Sequence, residues 1–392
     1  MTGIRGVFRI SSVGEKRCRV CGEESPLISQ ALGVCATCIR ERSKEALPYI
    51  EAAHASARRP YGLPTKIPKG ADGILCRVCS NECRMGEGER SYCGLRENKG
   101  GRLWSRISPS RGLLYMYLDP HVANCCAAWF CPAGTGAGYP RFAHRRGPEL
   151  GYYNLAVFFY GCNFDCLFCQ NASHKEINRG EVTTVEEFAE VVRRNKRISC
   201  ICFFGGSPEP QLPFALKASR VLLEENPGRI LRICFEWNGC GNPRLVREAA
   251  ELALTSGGNI KFDLKCFNPT MSLALSGVSN KRAYENFRMI AEELYDERPE
   301  PPVLTATTLL VPGYVDVEEV ERIARFIAEL NEEIPYSLLI FHPDFRMQDL
   351  PVTPVRQVVE CYRAAKRHLR RVNVGNLHLI GLSNLSELEE LG

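Results

Sequence analysis

No apolar run in this 392-residue chain approaches the ~20 residues that a bilayer-spanning helix needs. Met1–Ile10 carries two arginines but lacks an apolar core of signal-peptide length, so export is not expected. The hydrophobic and charged content is that of an ordinary soluble globular chain. Its 45% hydrophobic and 24% charged residues suffice to bury a sizeable core. The length allows one large domain with one or two small ones.

An even spread of charge is also lacking. Residues 1–110 hold 19 Lys+Arg against 11 Asp+Glu and so carry +8, leaving −3 on the remainder of a chain whose net charge is +5. A basic front end is one footprint of nucleic-acid binding. Two four-cysteine metal sites there, each with a divalent cation, would add about −4 and cancel half of it, which makes a nucleic-acid partner the weaker expectation.

What the chain does have is cysteine. Twenty cysteines, many in Cys-x2-Cys pairs, read as metal sites rather than disulfides and imply a reducing compartment, hence a cytoplasmic location. The central stretch is Gly161–Asn171, Gly-Cys-Asn-Phe-Asp-Cys-Leu-Phe-Cys-Gln-Asn. It sets Cys162, Cys166 and Cys169 in a Cys-x3-Cys-x2-Cys spacing directly after the apolar run Leu155–Tyr160. Three thiolates so close can hold three irons of a 4Fe–4S cluster and leave the fourth without a protein ligand.

Two further modules precede it. Cys18, Cys21, Cys35 and Cys38 form two Cys-x2-Cys pairs with glycines at 22 and 33, the pattern of a zinc ribbon, with a rubredoxin-like iron site as the alternative. Cys76, Cys79, Cys83 and Cys93 can hold zinc or an auxiliary iron–sulfur cluster, and spacing alone does not choose. Between residues 110 and 150, Cys125, Cys126 and Cys131 precede a glycine-rich segment at 133–140. That segment is either a tight packed loop or a backbone cradle for an anion, and the cysteines could line the active site.

From Tyr152 onward, short β-branched or aromatic runs alternate with amphipathic segments. The runs are Leu155–Tyr160, Cys200–Phe204, Ile230–Glu236, Ile260–Leu264, Val303–Val311 and Tyr336–Phe341. Six strand–helix units predict an α/β fold with a parallel sheet and right-handed crossovers. The expected division is 1–45 zinc ribbon, 46–75 helix and linker, 76–150 second cysteine module with the glycine-rich loop, 151–345 barrel, and 346–392 final helix and tail.

The cysteine triplet after the first strand, together with Phe204-Gly205-Gly206-Ser207-Pro208-Glu209-Pro210 after the second, resembles the radical S-adenosylmethionine (SAM) superfamily. The text of Cys76–Asn98 resembles the pyruvate formate-lyase activase-like members, including those of the AmmeMemoRadiSam system. The resemblance covers about residues 76–345. It implies a partial (β/α)6 barrel with its site at the C-terminal strand ends, a 4Fe–4S cluster, and SAM cleaved reductively to a 5′-deoxyadenosyl radical that removes hydrogen from an unactivated carbon. It places Phe168 against the adenine and Gly205 and Gly206 at the methionine amino group. Ser207 stands where an acid is usual, and Glu209 is the nearest acid. Glu236-Trp237-Asn238-Gly239 looks like the Glu-Thr-Asn-Gly of activases, giving Glu236 and Asn238 as cofactor contacts. Asp263-Leu264-Lys265 matches the activase Asp-Leu-Lys that meets SAM and the substrate backbone, with a purely structural ion pair as the alternative. His342, ending the sixth strand, is either a substrate contact or a rim histidine.

The expected substrate is therefore a protein or peptide, with an electron donor such as ferredoxin or flavodoxin. Peptide C-methylation assisted by cobalamin, as in the modification of methyl-coenzyme M reductase, stands slightly ahead of glycyl-radical activation. RNA modification is a third possibility. The chain has no separate cobalamin-binding domain, and Asp119-Pro120-His121 begins like the cobalamin motif Asp-x-His-x-x-Gly but lacks its glycine.

Overall fold

The computed structural model describes residues 14–123 and 125–391; Met1–Ile10, read above for a targeting signal, lies outside them. A nine-stranded sheet dominates: β1 (Arg111–Pro120), β2 (Tyr153–Phe159), β3 (Glu181–Thr184), β4 (Ile198–Gly205), β5 (Arg232–Trp237), β6 (Ile260–Asp263), β7 (Leu304–Leu310), β8 (Tyr336–Ile340) and β9 (Val372–Gly375). Its order is β9-β8-β7-β6-β5-β4-β2-β1-β3. The six expected strands run parallel as β2 and β4–β8. A seventh parallel strand, β9, joins β8, and β1 pairs antiparallel with both β2 and β3 at the other edge. The two edges do not pair with each other, so the barrel is open. The sheet thus draws strands from both sides of the expected boundaries at 150 and 345.

Sequence explains both additions. Val372–Gly375 is four residues long, too short to show a period. In β1, Leu113 and Leu114 are buried while Tyr115, Tyr117 and Leu118 are exposed, so apolar side chains on both faces hide the alternation.

The parallel strands are covered on their outer face by helices whose caps are written locally. Val185–Arg194 starts at a capping box of Thr184 and Glu187. Pro243–Ser256 and Pro269–Ser276 each combine an Asn cap, Pro at the first position and a left-handed Gly after the last. Phe159, Phe203 and Phe235 stack across three neighbouring strands at centroid separations of 5.8 and 5.1 Å, and Phe188 and Phe214 from the helices pack on them. The alternate positions, among them Cys202, Glu236, Lys261, Asp263 and Thr307, face the other way, into the lumen.

The front end is docked on the barrel. Arg40 holds Asp316 by two hydrogen bonds of 2.8 Å, Lys16 reaches Asp349 at 2.8 Å, and the Tyr314 hydroxyl donates to Val34 O while accepting from Ser29 N–H. The helix expected at the start of the 46–75 segment runs over Ser43–Arg58 and so begins before that boundary.

Candidate active site

The cluster loop leaves the end of β2 through Gly161, which has φ +83° and no space for a side chain beneath Leu95. Backbone bonds fix it from both sides. Gly161 N–H donates to His174 O, while Asp165 and Leu167 N–H donate to Ser276 O and Leu275 O, each at 2.9 Å. The Phe164 N–H points at Cys162 Sγ from 3.3 Å, and Cys166 Sγ lies 3.3 Å from Ser276 Oγ, the surroundings a metal-bound sulfur uses. Burial pushes the thiols up, Cys169 to about 11, so they ionise only beside a group that brings positive charge, as iron does.

Asp165, inside the triplet, is fully buried and surrounded by cations. His54 Nδ1 is 2.8 Å from its Oδ2, while Oδ1 lies 3.3 Å from Arg58 Nη1 and is paired with Lys175. Burial alone would raise its pKa. The His54 hydrogen bond and the charges of Lys175 and Arg58 outweigh this and hold the carboxyl well below the ordinary range. Sequence inspection missed this group. Its one sequence signal is an acid set between Phe164 and Cys166 in a loop with no other charged residue.

Cys162, Cys166 and Cys169 line one cavity of about 140 Å³ together with Phe168, Gly205, Gly206, Ser207 and, across the barrel, Glu236, Asn238, Asp263 and Lys265. The glycines are required by contact: a Cβ on Gly206 would sit 2.4 Å from Gly161 O, and one on Gly205 2.6 Å from Phe159 N. Asn238 ties the cluster loop to the strand ends, its Nδ2 donating to Asn163 Oδ1 (2.8 Å) and Ser207 Oγ (2.9 Å). Lys265 Nζ is 3.1 Å from Asp263 Oδ2 and 5.8 Å from the centre of the Phe168 ring. Lys261, on the same strand face, pairs with Glu236.

Two expected site residues are not brought into this cavity. His342 is exposed, lies 3.1 Å from Asp344 and is not among the residues that line the cavity. Glu209 lies behind the wall, fully buried, where its Oε1 accepts from Gly239 N–H at 2.7 Å; no partner meets Oε2 among the described residues. Burial raises Glu209 to about 7 from 4.5. Between those values the unfolded chain ionises while the native one stays protonated, so its contribution to stability declines as pH rises and levels off above about 7. Glu209→Gln is expected to gain on the parent by about 1 kcal/mol between pH 6 and pH 8, read as unfolding free energy under anoxia at both values.

The front cysteines have a different geometry. Cys18, Cys21, Cys35 and Cys38 are the one group among the described residues whose ligand atoms all lie within 4.8 Å of one another. Cys18 Sγ–Cys38 Sγ is 3.8 Å and Cys21 Sγ–Cys35 Sγ 3.7 Å. Bonds of about 2.3 Å around a tetrahedral zinc ion give an edge of about 3.8 Å, so the four thiols fit one such ion. Cys38→Ser is expected to take zinc from about one per chain toward none, by elemental analysis, without changing iron. Cys76, Cys79, Cys83 and Cys93 gather beside the active site: Ser80 N–H donates to Cys240 O, and Asn81 Nδ2 to Asn163 O at 2.7 Å. Their thiols are not drawn into such a single-ion group, a looser arrangement that leaves room for a cluster of several irons.

Residues 156–327 match the family model described as the Radical SAM superfamily. The chain carries a radical SAM domain and is an enzyme with a 4Fe–4S cluster and SAM as cofactors. It is 25% identical over 312 residues to an uncharacterized protein of Methanocaldococcus jannaschii, covering 78% of this chain and 81% of that one. It is 36% identical over 139 residues to the isethionate sulfite-lyase activating enzyme of Desulfovibrio desulfuricans, spanning 35% of this chain and 40% of the relative. The pyruvate formate-lyase 1-activating enzyme of Escherichia coli is 24% identical over 202 residues, 50% of this chain and 76% of the relative. A domain of a pyruvate-formate lyase-activating enzyme from Bacteroides vulgatus aligns over 45% of this chain and 98% of its own at 16% identity and TM-score 0.36, too distant to bear on function.

When bound, the cluster and SAM supply an adenosyl radical able to take hydrogen from carbon. The chain's own residues set the stage for it. The loop bonds fix the three sulfurs, Gly205 and Gly206 let backbone come close, and the paired Asp263 and Lys265 offer opposite charges on one wall.

Proposed function

We propose that this enzyme removes a hydrogen atom from an unactivated carbon of a protein or peptide, and that installing a glycyl radical on a partner enzyme is its leading form. The observation that carries this is the Asp263–Lys265 pair on the wall of the cavity that holds Cys162, Cys166 and Cys169, since Asp-Leu-Lys is where the activase resemblance places the contact with SAM and substrate backbone. Relatives named as activating enzymes add weight to it. In this proposal Phe168 stacks on the adenine, Gly205, Gly206 and Ser207 receive the methionine end, Glu236 and Asn238 complete the cofactor wall, and a ferredoxin or flavodoxin delivers the electron.

Peptide C-methylation with cobalamin is the second form. The docked front end favours it, because it offers surface for another cofactor or a partner. RNA modification stands behind both and rests on the +8 charge of residues 1–110. The test is an anoxic incubation of reconstituted enzyme with reductant, SAM and a candidate glycyl-radical partner. A paramagnetic signal on the partner's glycine supports the first form. Cobalamin retained through gel filtration, with a methyl group gained by a peptide, moves the assignment to the second. Copurifying RNA whose binding weakens steeply with salt overturns the polypeptide proposal.

A further inference from the structure

Three cysteines that sequence inspection passed over lie inside the barrel. Cys200 and Cys202 on β4 and Cys234 on β5 face the lumen near the strand starts, on the far side of Phe204 and Glu236 from the cluster loop. Cys202 and Cys234 are register partners, and Cys200 Sγ lies 3.5 Å from Cys234 Sγ. The loop after β1 adds Cys125 and Cys131 to the same cavity, whose volume is about 370 Å³ and which shares Gln170, Asn171, Phe204 and Glu236 with the cluster cavity.

A second group points into this cavity. His121 is 93% buried and its Nε2 is 3.1 Å from Ser199 Oγ. Ser199 gives its one hydrogen to Glu149 Oε2 (2.8 Å) and accepts from Arg232 Nη2 (2.9 Å), so toward His121 it can only accept. The ring proton is therefore on Nε2, and Nδ1 carries a bare lone pair that no partner meets among the described residues. His121 shares this cavity with the paired thiols, and an imidazole oriented through its other nitrogen by a hydroxyl–carboxylate chain is the arrangement that metal-ligating histidines use.

Alternative roles fit less well. A sulfur separation of 3.5 Å is far beyond the roughly 2 Å of a disulfide and close to the edge of about 3.8 Å around a tetrahedral ion. Two of the nearby cations are already matched, Arg232 by Glu149 and Lys261 by Glu236.

We propose that the barrel lumen holds a second, thiolate-ligated metal centre of zinc or iron. Cys200 and Cys234 are its core ligands; Cys131, Cys202, Cys125 and His121 Nδ1 line the same cavity, and since none of them lies within 4.8 Å of both sulfurs, completing the site draws at least one of them inward. The site is independent of the three cluster cysteines and of which polypeptide is modified.

The test is anomalous diffraction at the iron and zinc edges from crystals of the full-length protein, reconstituted under anoxia with ferrous iron and sulfide in one batch and zinc in another. The expected result is a peak bonded to Cys200 and Cys234 sulfur, present also in Cys162→Ala/Cys166→Ala/Cys169→Ala protein. In solution, Cys200→Ser/Cys234→Ser should lose at least one metal ion per chain relative to the parent and keep the zinc at Cys18–Cys38. No lumen peak at either edge, or a Cys200–Cys234 disulfide, overturns the proposal, as does unchanged metal content in a folded double variant.

Discussion

Replacing Cys162, Cys166 and Cys169 together by alanine is expected to remove about four irons per chain and bring 5′-deoxyadenosine and methionine formation down to the level of a no-enzyme control. The expectation follows from how the loop is held. Its position depends on backbone bonds from Gly161, Asp165 and Leu167 and on the buried Asp165, none of which involves a cysteine side chain. The loop should therefore keep its shape and lose only its ligands. Zinc at Cys18–Cys38 lies in a separate group and should stay at about one per chain. The comparison is made on anoxically reconstituted protein with a strong reductant, reading iron, zinc and the two products together. Undiminished SAM cleavage in the triple variant would mean that another iron site does the chemistry.

The second large effect falls on stability. Asp165→Asn leaves Lys175, whose side chain is wholly buried, and Arg58, 1% exposed, without their shared counter-charge. Removing one partner of a buried ion pair typically costs 3–5 kcal/mol, because the remaining charge stays desolvated. The fall should appear in the denaturant midpoint of anoxic protein, with loss of iron before loss of zinc, since the group sits under the cluster loop. A depressed carboxyl contributes stability above its unfolded value of about 3.9 and loses it only as pH falls further. The carboxyl is ionised throughout pH 6 to 8, so a large cost should be present at both values, whereas the gain of Glu209→Gln appears between them. Asp165→Glu, which keeps the charge, should recover part of the loss.

How much of this was legible beforehand depended on how far apart in sequence the partners lie. The cluster triplet, Gly205–Gly206 and the Asp263–Lys265 pair could be read because each occupies a few consecutive residues at a strand end, and a parallel sheet brings all strand ends to one side. The Asp165 cluster could not, since His54 and Lys175 lie 111 and 10 residues away and nothing local pairs them. Glu209 looked like a displaced acid of the Gly-Gly motif, yet the turn that follows buries it against Gly239. The lumen cysteines were invisible for another reason: Cys200, Cys202 and Cys234 sit in apolar strands, where a thiol passes for a small hydrophobe until the face it occupies is known. His342, read as a substrate contact or a rim histidine, lies exposed beside Asp344 and outside the cluster cavity.

The contacts of Arg40 with Asp316 and of Lys16 with Asp349 join residues 276 and 333 positions apart. During synthesis the first of each pair emerges long before the second exists. Some 40 residues cannot build an apolar core to wait on, and a bound ion that cross-links four of them supplies the staying power. The ribbon then docks on the loops that follow β7 and β8, so its folded form has to persist until those strands are in place.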